Sequence, residues 1–492
     1  MAKMMKNNYL NLFFTLLFIF FNACNCDKVP SLRTDKPYEQ IAPLPPKKYP
    51  LEGIFVDAAN KTLDEAAQDG KTWATAYSNI KTAVDKADKN IHTNIIIAKG
   101  NYAPENITID HKSISIMGSY PNNATEFKIF TIGKDLPLDD DNNWTVIGED
   151  TDTVDVPVFT IKNGAKKVSI SGILFQGQYE ARAIEVDDSA SVDKQLSLNL
   201  RALSIIGGAN KDYAKISGIK VNGADKLSIN GFYCAGVGAD SIDGGCINVN
   251  NTNTVDIKYA DFANNKASFG GALLADNIEN FVIKNSTFNN LEAEYGGAIY
   301  YMSVNSISLE GCEFSNNESH KMAGAIYFDN KSIINISASK FVNNTSVEAA
   351  AFYINNTTNF IFKNSTVSDS KTSYGFQIDN AENITLDNAT ITDNKAGGFV
   401  LDDTSKKIII KNSTISANKN SSGAIIKNSA ALVEITKSNF SSNEADKGAA
   451  LYLANNQNEI IISDSEFAHN KALKKGGALY IKPKSNTSRE IG

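Results

Sequence analysis

An eleven-residue segment recurs nine times between Val255 and Asn470 at almost constant spacing, and a chain with a fixed period of this size builds an array of stacked units. The first copies are VDIKYADFANN from Val255, FVIKNSTFNNL from Phe281, ISLEGCEFSNN from Ile307, INISASKFVNN from Ile334 and FIFKNSTVSDS from Phe360. ITLDNATITDN from Ile384, IIIKNSTISAN from Ile408, VEITKSNFSSN from Val433 and IIISDSEFAHN from Ile460 follow without gaps. Their apolar anchors are Phe262, Phe288, Phe314, Phe341, Val367, Ile391, Ile415, Phe440 and Phe467, in steps of 24 to 27. A second element keeps time with the first: GGCI at Gly244, GGAL at Gly270, GGAI at Gly296, AGAI at Ala323 and so on to GGAL at Gly476. Fainter copies from Val168, Leu196 and Leu227 extend the array toward the N-terminus.

One repeat fixes the architecture. In IxIxNSxF the apolar residues alternate, as on one face of a strand, and GGAIYY supplies a second short strand opened by small residues. Two or three strands per repeat, joined by polar corners, leave no room for a crossover helix, and propeller blades need nearer 40 residues. The remaining solution is a coiling chain whose rungs stack at ~4.8 Å with every strand parallel to its equivalents. We therefore expect an all-β fold, a single right-handed parallel β-helix of roughly 12 or 13 rungs, about 60 Å long at that spacing. In-register stacking puts the Phe anchors one above another inside the coil. Three residues later Asn recurs, at Asn265, Asn317, Asn344, Asn394, Asn418, Asn443 and Asn470. Asn tolerates left-handed backbone and its amide bridges to the Asn of the next rung, so these residues are read as a corner ladder. The Gly pairs permit a close approach of backbone.

The alternation of FxxN with GGA[IL] over Leu227 to Ile481 resembles the passenger repeats of the chlamydial polymorphic outer membrane proteins and of related β-helix proteins on bacterial surfaces. The resemblance implies a secreted, surface-displayed β-helix associated with adhesion. It does not extend to an autotransporter barrel, because no C-terminal series of amphipathic ten-residue strands follows. The chain stops soon after a repeat, at IKPKSNTSREIG, without an evident cap.

The N-terminus reads as an address. Lys3 and Lys6 precede the apolar run Tyr9 to Phe21, which ends at Asn22, Ala23 and Cys24, the layout of an export signal and too short for a bilayer span. The FNAC ending resembles a bacterial lipoprotein signal, in which Cys24 would carry the acyl chains; processing as a plain secreted protein is the alternative. The expected organisation is a signal at 1–23, a Pro-rich tether at 24–52, an N-terminal cap with the first rungs at 53–120, β-helix at 121–482 and a tail at 483–492. In the cap, Trp73, Ala76, Ile80, Ala83, Val84 and Ala87 are spaced along one helical face, and 121–156 reads as a loop bulging from an early rung.

Chemistry is sparse. His92, His111, His320 and His469 are scattered, and Asp139, Asp140 and Asp141 lack the spacing of a calcium loop, so no metal or cofactor is assigned. Cys234 takes the place of an anchor Phe and Cys246 that of the motif Ala; export permits a disulfide between them, and two buried thiols fit as well. Cys312 aligns with Ser286, Ser365 and Ser413 as a small corner residue. The acidic pairs Asp187 with Asp188 and Asp402 with Asp403 are the candidates for carboxylate catalysis, but lack the Gly-His-Gly and Arg-x-Lys companions that pectin-hydrolysing relatives carry. With 48 Lys plus Arg against 55 Asp plus Glu and no basic stripe, nucleic acid is not an expected partner. The reading is a non-catalytic surface lipoprotein, an adhesin or scaffold with the membrane and a host or matrix protein or glycan as partners. The alternative is a polysaccharide lyase or hydrolase on the same coil.

Overall fold

The computed structural model describes residues 51–482 apart from 126–143, 149–152, 155, 163, 180–181, 188–194, 208–217, 239–241, 429–431 and 455–458. The export signal, Cys24, most of the tether, Asp139 to Asp141, Asp188 and the tail lie outside the described residues.

The described residues wind into a right-handed parallel β-helix of about 12 turns. Wall 1 is the GGA strand, as in Ile299–Tyr301, Phe399–Asp402 and Ala424–Lys427. Wall 2 is the IxIxN strand, as in Val304–Glu310 and Lys407–Lys411, and wall 3 the short anchor strand, as in Glu313–Ser315 and Thr414–Ser416. In some rungs walls 1 and 2 run on as one strand, for example Phe352–Lys363. The expected two or three strands per rung is an undercount where a fourth wall forms: Lys266–Phe269, Glu292–Tyr295, Glu318–Met322 and Thr345–Glu348 pair in parallel, as do Glu444–Lys447 and Lys471–Lys475. Wall 4 is mostly polar and carries no repeated apolar alternation, so the pattern does not announce it.

Register follows the anchors. Phe262 pairs with Phe288, Phe288 with Phe314 and Phe314 with Phe341, and their fully buried rings stack with centroids 4.9, 4.5 and 4.8 Å apart. The column continues through Val367, Ile391, Ile415, Phe440 and Phe467. Burying this apolar surface at about 25 cal/mol per Å² is the main stabilising term. One alignment needs correction. The strand after Leu196 enters register two residues later, with Leu198 opposite Val168 and Leu227. A shift of two leaves the same residues facing inward, so alternation could not detect it.

The Asn column lies inside the coil. Asn418 Nδ2 donates to Ile391 O (3.0 Å) and Asn443 Oδ1 (3.0 Å), and its Oδ1 accepts from Asn394 N (3.1 Å) and Nδ2 (2.9 Å). Asn317 with Asn344, and Asn443 with Asn470, repeat the scheme. These Asn residues do not take the left-handed backbone expected of them. That conformation belongs to the residue just before, at Asn264, Asn290, Asn316, Asn343, Asp369, Asp393, Ala417, Ser442 and His469, so the bend and the ladder amide are separate devices. A parallel column of small residues marks the wall 2 to wall 3 corner. There Ser339 Oγ accepts from Cys312 N and Ser365 Oγ from Ser339 N, which seats Cys312 as one more small residue. At the wall 1 corner a Cβ on Gly297 would stand 2.1 Å from Gly324 O of the next rung, so only hydrogen fits.

Cys234 and Cys246 form a disulfide across the interior of one rung, with Cα atoms 6.3 Å apart. In the cap the helix is shorter than expected: α1 spans only Ile80–Lys86, opened by Asn79, whose side chain accepts from Thr82 N. Trp73–Thr75 is a separate 3-10 turn capped by Thr72, and Ala76 is extended, because two capping side chains in close succession divide the segment. Ile80, Ala83 and Val84 close the core over Val56, Ile95 and Ile109, and the Lys112 ammonium donates to Val84 O at the end of α1. Within the segment expected as a loop, Thr145–Ile147 pairs with Gly100–Tyr102 and with the strand containing Ile173 to Phe175, so it belongs to wall 3.

Candidate ligand-binding gap in wall 4

Wall 4 is interrupted. The connection from wall 3 to wall 1 runs over 343–351 in one rung and 442–450 in another, but only over 369–375, 393–398 and 417–423 in the three rungs between, where no strand forms. The anchor steps from Val367 to Ile391 and from Ile391 to Ile415 are accordingly 24, the shortest in the array. Shortening removes the fourth strand and leaves a gap about three rungs, or ~14 Å, high between Thr345–Glu348 and Glu444–Lys447. On the upstream side Val347 is 75% exposed.

Tyr374 lies across the shortened corners. A Cβ on Gly397 in the next rung would stand 2.9 Å from its ring, and its hydroxyl is 3.4 Å from Ser421 Oγ two rungs on. Gly397 has φ +107, so this position needs glycine for its backbone as well as for the ring above it. Ser373, beside Tyr374, keeps a buried hydroxyl with no hydrogen-bond partner.

On the adjoining outer face of wall 1, Asp329, Asn355, Asp379, Asp402 and Lys427 occupy one register column. Asp379 accepts from the Tyr353 hydroxyl (2.6 Å) and from Gln377 Nε2 (3.1 Å); Asp402 pairs with Lys427 (2.9 Å) and accepts from Asn428 (2.9 Å). Burial alone would lower the Lys427 ammonium, but the Asp402 hydrogen bond and the charges of Asp402 and Asp379 outweigh it and hold its pKa above the usual value. Upstream, Tyr300, Tyr327 and Tyr353 stack, with centroids 5.0 and 5.5 Å apart, against Phe269, Tyr295 and Met322 of wall 4. Burial, aided by nearby carboxylates, pushes the Tyr327 hydroxyl up to about 12 and those of Tyr300 and Tyr353 higher, so all three are neutral donors.

Of the candidate acids, Asp402 falls in this column and Asp403 does not: it turns the corner with φ +53. Asp187 sits in the corresponding wall 1 column many rungs away, accepting from Asn222 Nδ2 at 3.4 Å. His92 bonds Ser113 and Ser115, His111 bonds Asp110, His320 bonds Glu292, and His469 supplies a left-handed corner, so the four remain apart. Among the described residues no group of three or more His, Cys, Asp or Glu is placed to hold a metal ion. Tyr353, Tyr374, Gln377, Asp379 and Lys427 escaped the sequence reading. The two 24-residue steps were the available signal, since they mark the rungs where the outer face of wall 1 is bordered by short corners.

The family model for the right-handed β-helix region matches residues 217–372 and 350–490. Comparison with the curated proteins finds no match. Among solved structures, the chain is similar to PfbA, a surface adhesin of Streptococcus pneumoniae, at 11% identity and a TM-score of 0.37, over 84% of this chain and 93% of that one. It is also similar to the A-module of the mannuronan C-5 epimerase AlgE6 of Azotobacter vinelandii, at 12% identity and a TM-score of 0.26, over 87% of this chain and 100% of that one.

Proposed function

The chain belongs to the right-handed β-helix family, and from that premise we propose that it is an exported surface protein whose outer walls bind a host or matrix protein or glycan without catalysing a reaction. The observation that carries this reading is the division of labour within a rung. The repeated residues, the anchor apolar, the ladder Asn, the corner Ser and the GGA glycine, are buried and bonded to their own equivalents. The outward residues of the same strands change from rung to rung, as from Glu310 to Ser337 to Lys363 on wall 2. An array built this way offers a long surface whose chemistry is free to vary while the coil is kept.

The disulfide inside the coil supports export, since such bonds persist in oxidising compartments. The resemblance of the FxxN and GGA[IL] repeats to chlamydial surface passengers supports display at the cell surface, with lipidation of Cys24 as the route to the membrane. Mass spectrometry of the mature N-terminus tests the anchor; an unmodified terminus beyond Cys26 contradicts it. Full-length protein applied to glycan and matrix-protein arrays tests binding, and no retention on any surface would overturn the proposal.

The second reading, a polysaccharide lyase or hydrolase, is favoured by Asp379, Asp402 and Lys427, two carboxylates and an ammonium on consecutive rungs. It expects release of reducing or unsaturated sugar from an acidic polysaccharide, abolished in D402N. Binding without release supports the first reading.

A further inference from the structure

Across the gap in wall 4 the residue that follows the ladder position is Lys371, Lys395 and Lys419 in three consecutive rungs, all exposed. The register is fixed by the backbone: Lys395 N donates to Ser370 O and Lys419 N to Asn394 O, which sets each lysine one rung above the last, ~4.8 Å away. Where wall 4 is present, four of its lysines meet carboxylates, while Lys447 lies over the Tyr480 ring. Lys266 meets Glu292 at 2.7 Å, Lys321 meets Glu294 at 2.5 Å, Lys471 meets Glu444 at 3.2 Å and Lys474 meets Asp446 at 2.5 Å. Among the described residues, Lys371, Lys395 and Lys419 have no carboxylate within ion-pair distance. The next residue of their column, Glu444, is engaged by Lys471. Other charges bordering the gap are Asp369 and Asp393 at the preceding corner, where Asp393 accepts from Thr392 Oγ1 at 2.7 Å, Glu348 and Lys447 on the flanking wall 4 strands, and Asp379, Asp402 and Lys427 on wall 1.

Exposed like charges stacked one rung apart repel, and an anion lying against all three relieves that repulsion. We propose that this gap binds an acidic polysaccharide, one acidic group per lysine, in line with the coil axis; the inference rests on the surface-binding reading and names its ligand class. Two features favour a glycan over a nucleic acid. The lysines stand one rung, ~4.8 Å, apart, a step of the same order as one unit of an extended polysaccharide, so successive acidic groups can meet successive lysines. The far side of the gap presents the hydroxyls of Tyr374 and Ser421 and, on wall 1, Asp379 with the Asp402–Lys427 pair, polar groups that suit sugar hydroxyls, of which a nucleic acid has few.

The test uses the full chain and the triple variant K371Q/K395Q/K419Q, with K61Q/K86Q/K89Q in the cap as the control. Binding to immobilised heparin, polymannuronate, neutral dextran and duplex DNA is measured between 50 and 300 mM salt. The proposal expects salt-dependent binding to at least one of the two acidic glycans, none to dextran, and at least a tenfold loss in the gap variant, while the cap control keeps the affinity and all three proteins melt together. Glycan binding undiminished in the gap variant overturns the site but leaves the surface-binding reading standing. Absence of glycan binding, or DNA bound more tightly than either glycan, overturns the ligand class. Failure of the full chain on every array of matrix protein and glycan sinks the parent reading separately.

Discussion

Substitution of Asn418 by Ala measures what the buried ladder contributes. The side chain is fully buried and makes four hydrogen bonds to two neighbouring rungs. Its removal leaves Asn394 N and one Asn394 amide hydrogen without partners, whereas Ile391 O keeps its place in the wall 3 ladder opposite Ile415 and Asn443 Oδ1 still accepts from Asn418 N. A buried group left unsatisfied costs about 1–3 kcal/mol, so two give about 2–4 kcal/mol once some relaxation is allowed. Asn470 makes three of these four bonds in a half-buried position, where water replaces them, and N470A is expected to cost about 1 kcal/mol or less. Repeat arrays depart from two-state unfolding, so denaturant titration is paired with native-state hydrogen exchange on the amides of 391–443. Accelerated exchange confined to those rungs in N418A, with a lowered denaturation midpoint, is the expected outcome. Equal costs for N418A and N470A, or less than about 1 kcal/mol for N418A, would refute the reasoning.

F314A removes a fully buried ring stacked on both sides and is expected to destabilise by about 3–5 kcal/mol in the same titration, more than the peripheral F467A. Reduction of the Cys234–Cys246 bond opens a short loop, closing positions twelve apart, and is expected to cost about 2–3 kcal/mol; peptide mapping without reductant should recover the two cysteines linked. For Glu292, burial would raise the carboxyl, but hydrogen bonds from Lys266 and His320 overcome it and hold its pKa below the usual value. A lowered carboxyl pKa contributes stability above the ordinary Glu range of about 4.3 and loses it as pH falls through the folded-state value. The melting difference between wild type and E292Q should therefore be present at neutral pH and vanish in acid; a difference that grows in acid would contradict the assignment.

Much of the coil can be read in the residues because its rules are local and repeated. Apolar anchors at a fixed step dictate a stack, and small residues at GGA dictate close backbone. What escaped reading depends on partners in other rungs. Asn was a sound choice for a left-handed bend, yet the bend falls one residue earlier, because the ladder Asn must aim its amide inward at Phe or Ile carbonyls of the rung before. The α1 helix was overestimated because apolar spacing continues through Trp73 and Ala76 while the caps at Thr72 and Asn79 act on backbone. At the gap, Asp402 stood out by composition, but its neighbours Asp379 and Lys427 lie 23 and 25 residues away and become adjacent only through register.

All of this depends on the outward columns being true columns, and paired spin labels test that directly. Glu310, Lys411 and Ser463 lie on one outer column of wall 2, four rungs and six rungs from the first. In a background with Cys24, Cys26 and Cys312 replaced by Ser, labels at 310 and 411 are expected ~19 Å apart and labels at 310 and 463 ~29 Å apart, before allowance for the label arms. Pulsed dipolar distances that grow by ~4.8 Å per intervening rung agree with the account; distances that do not scale with rung number contradict it.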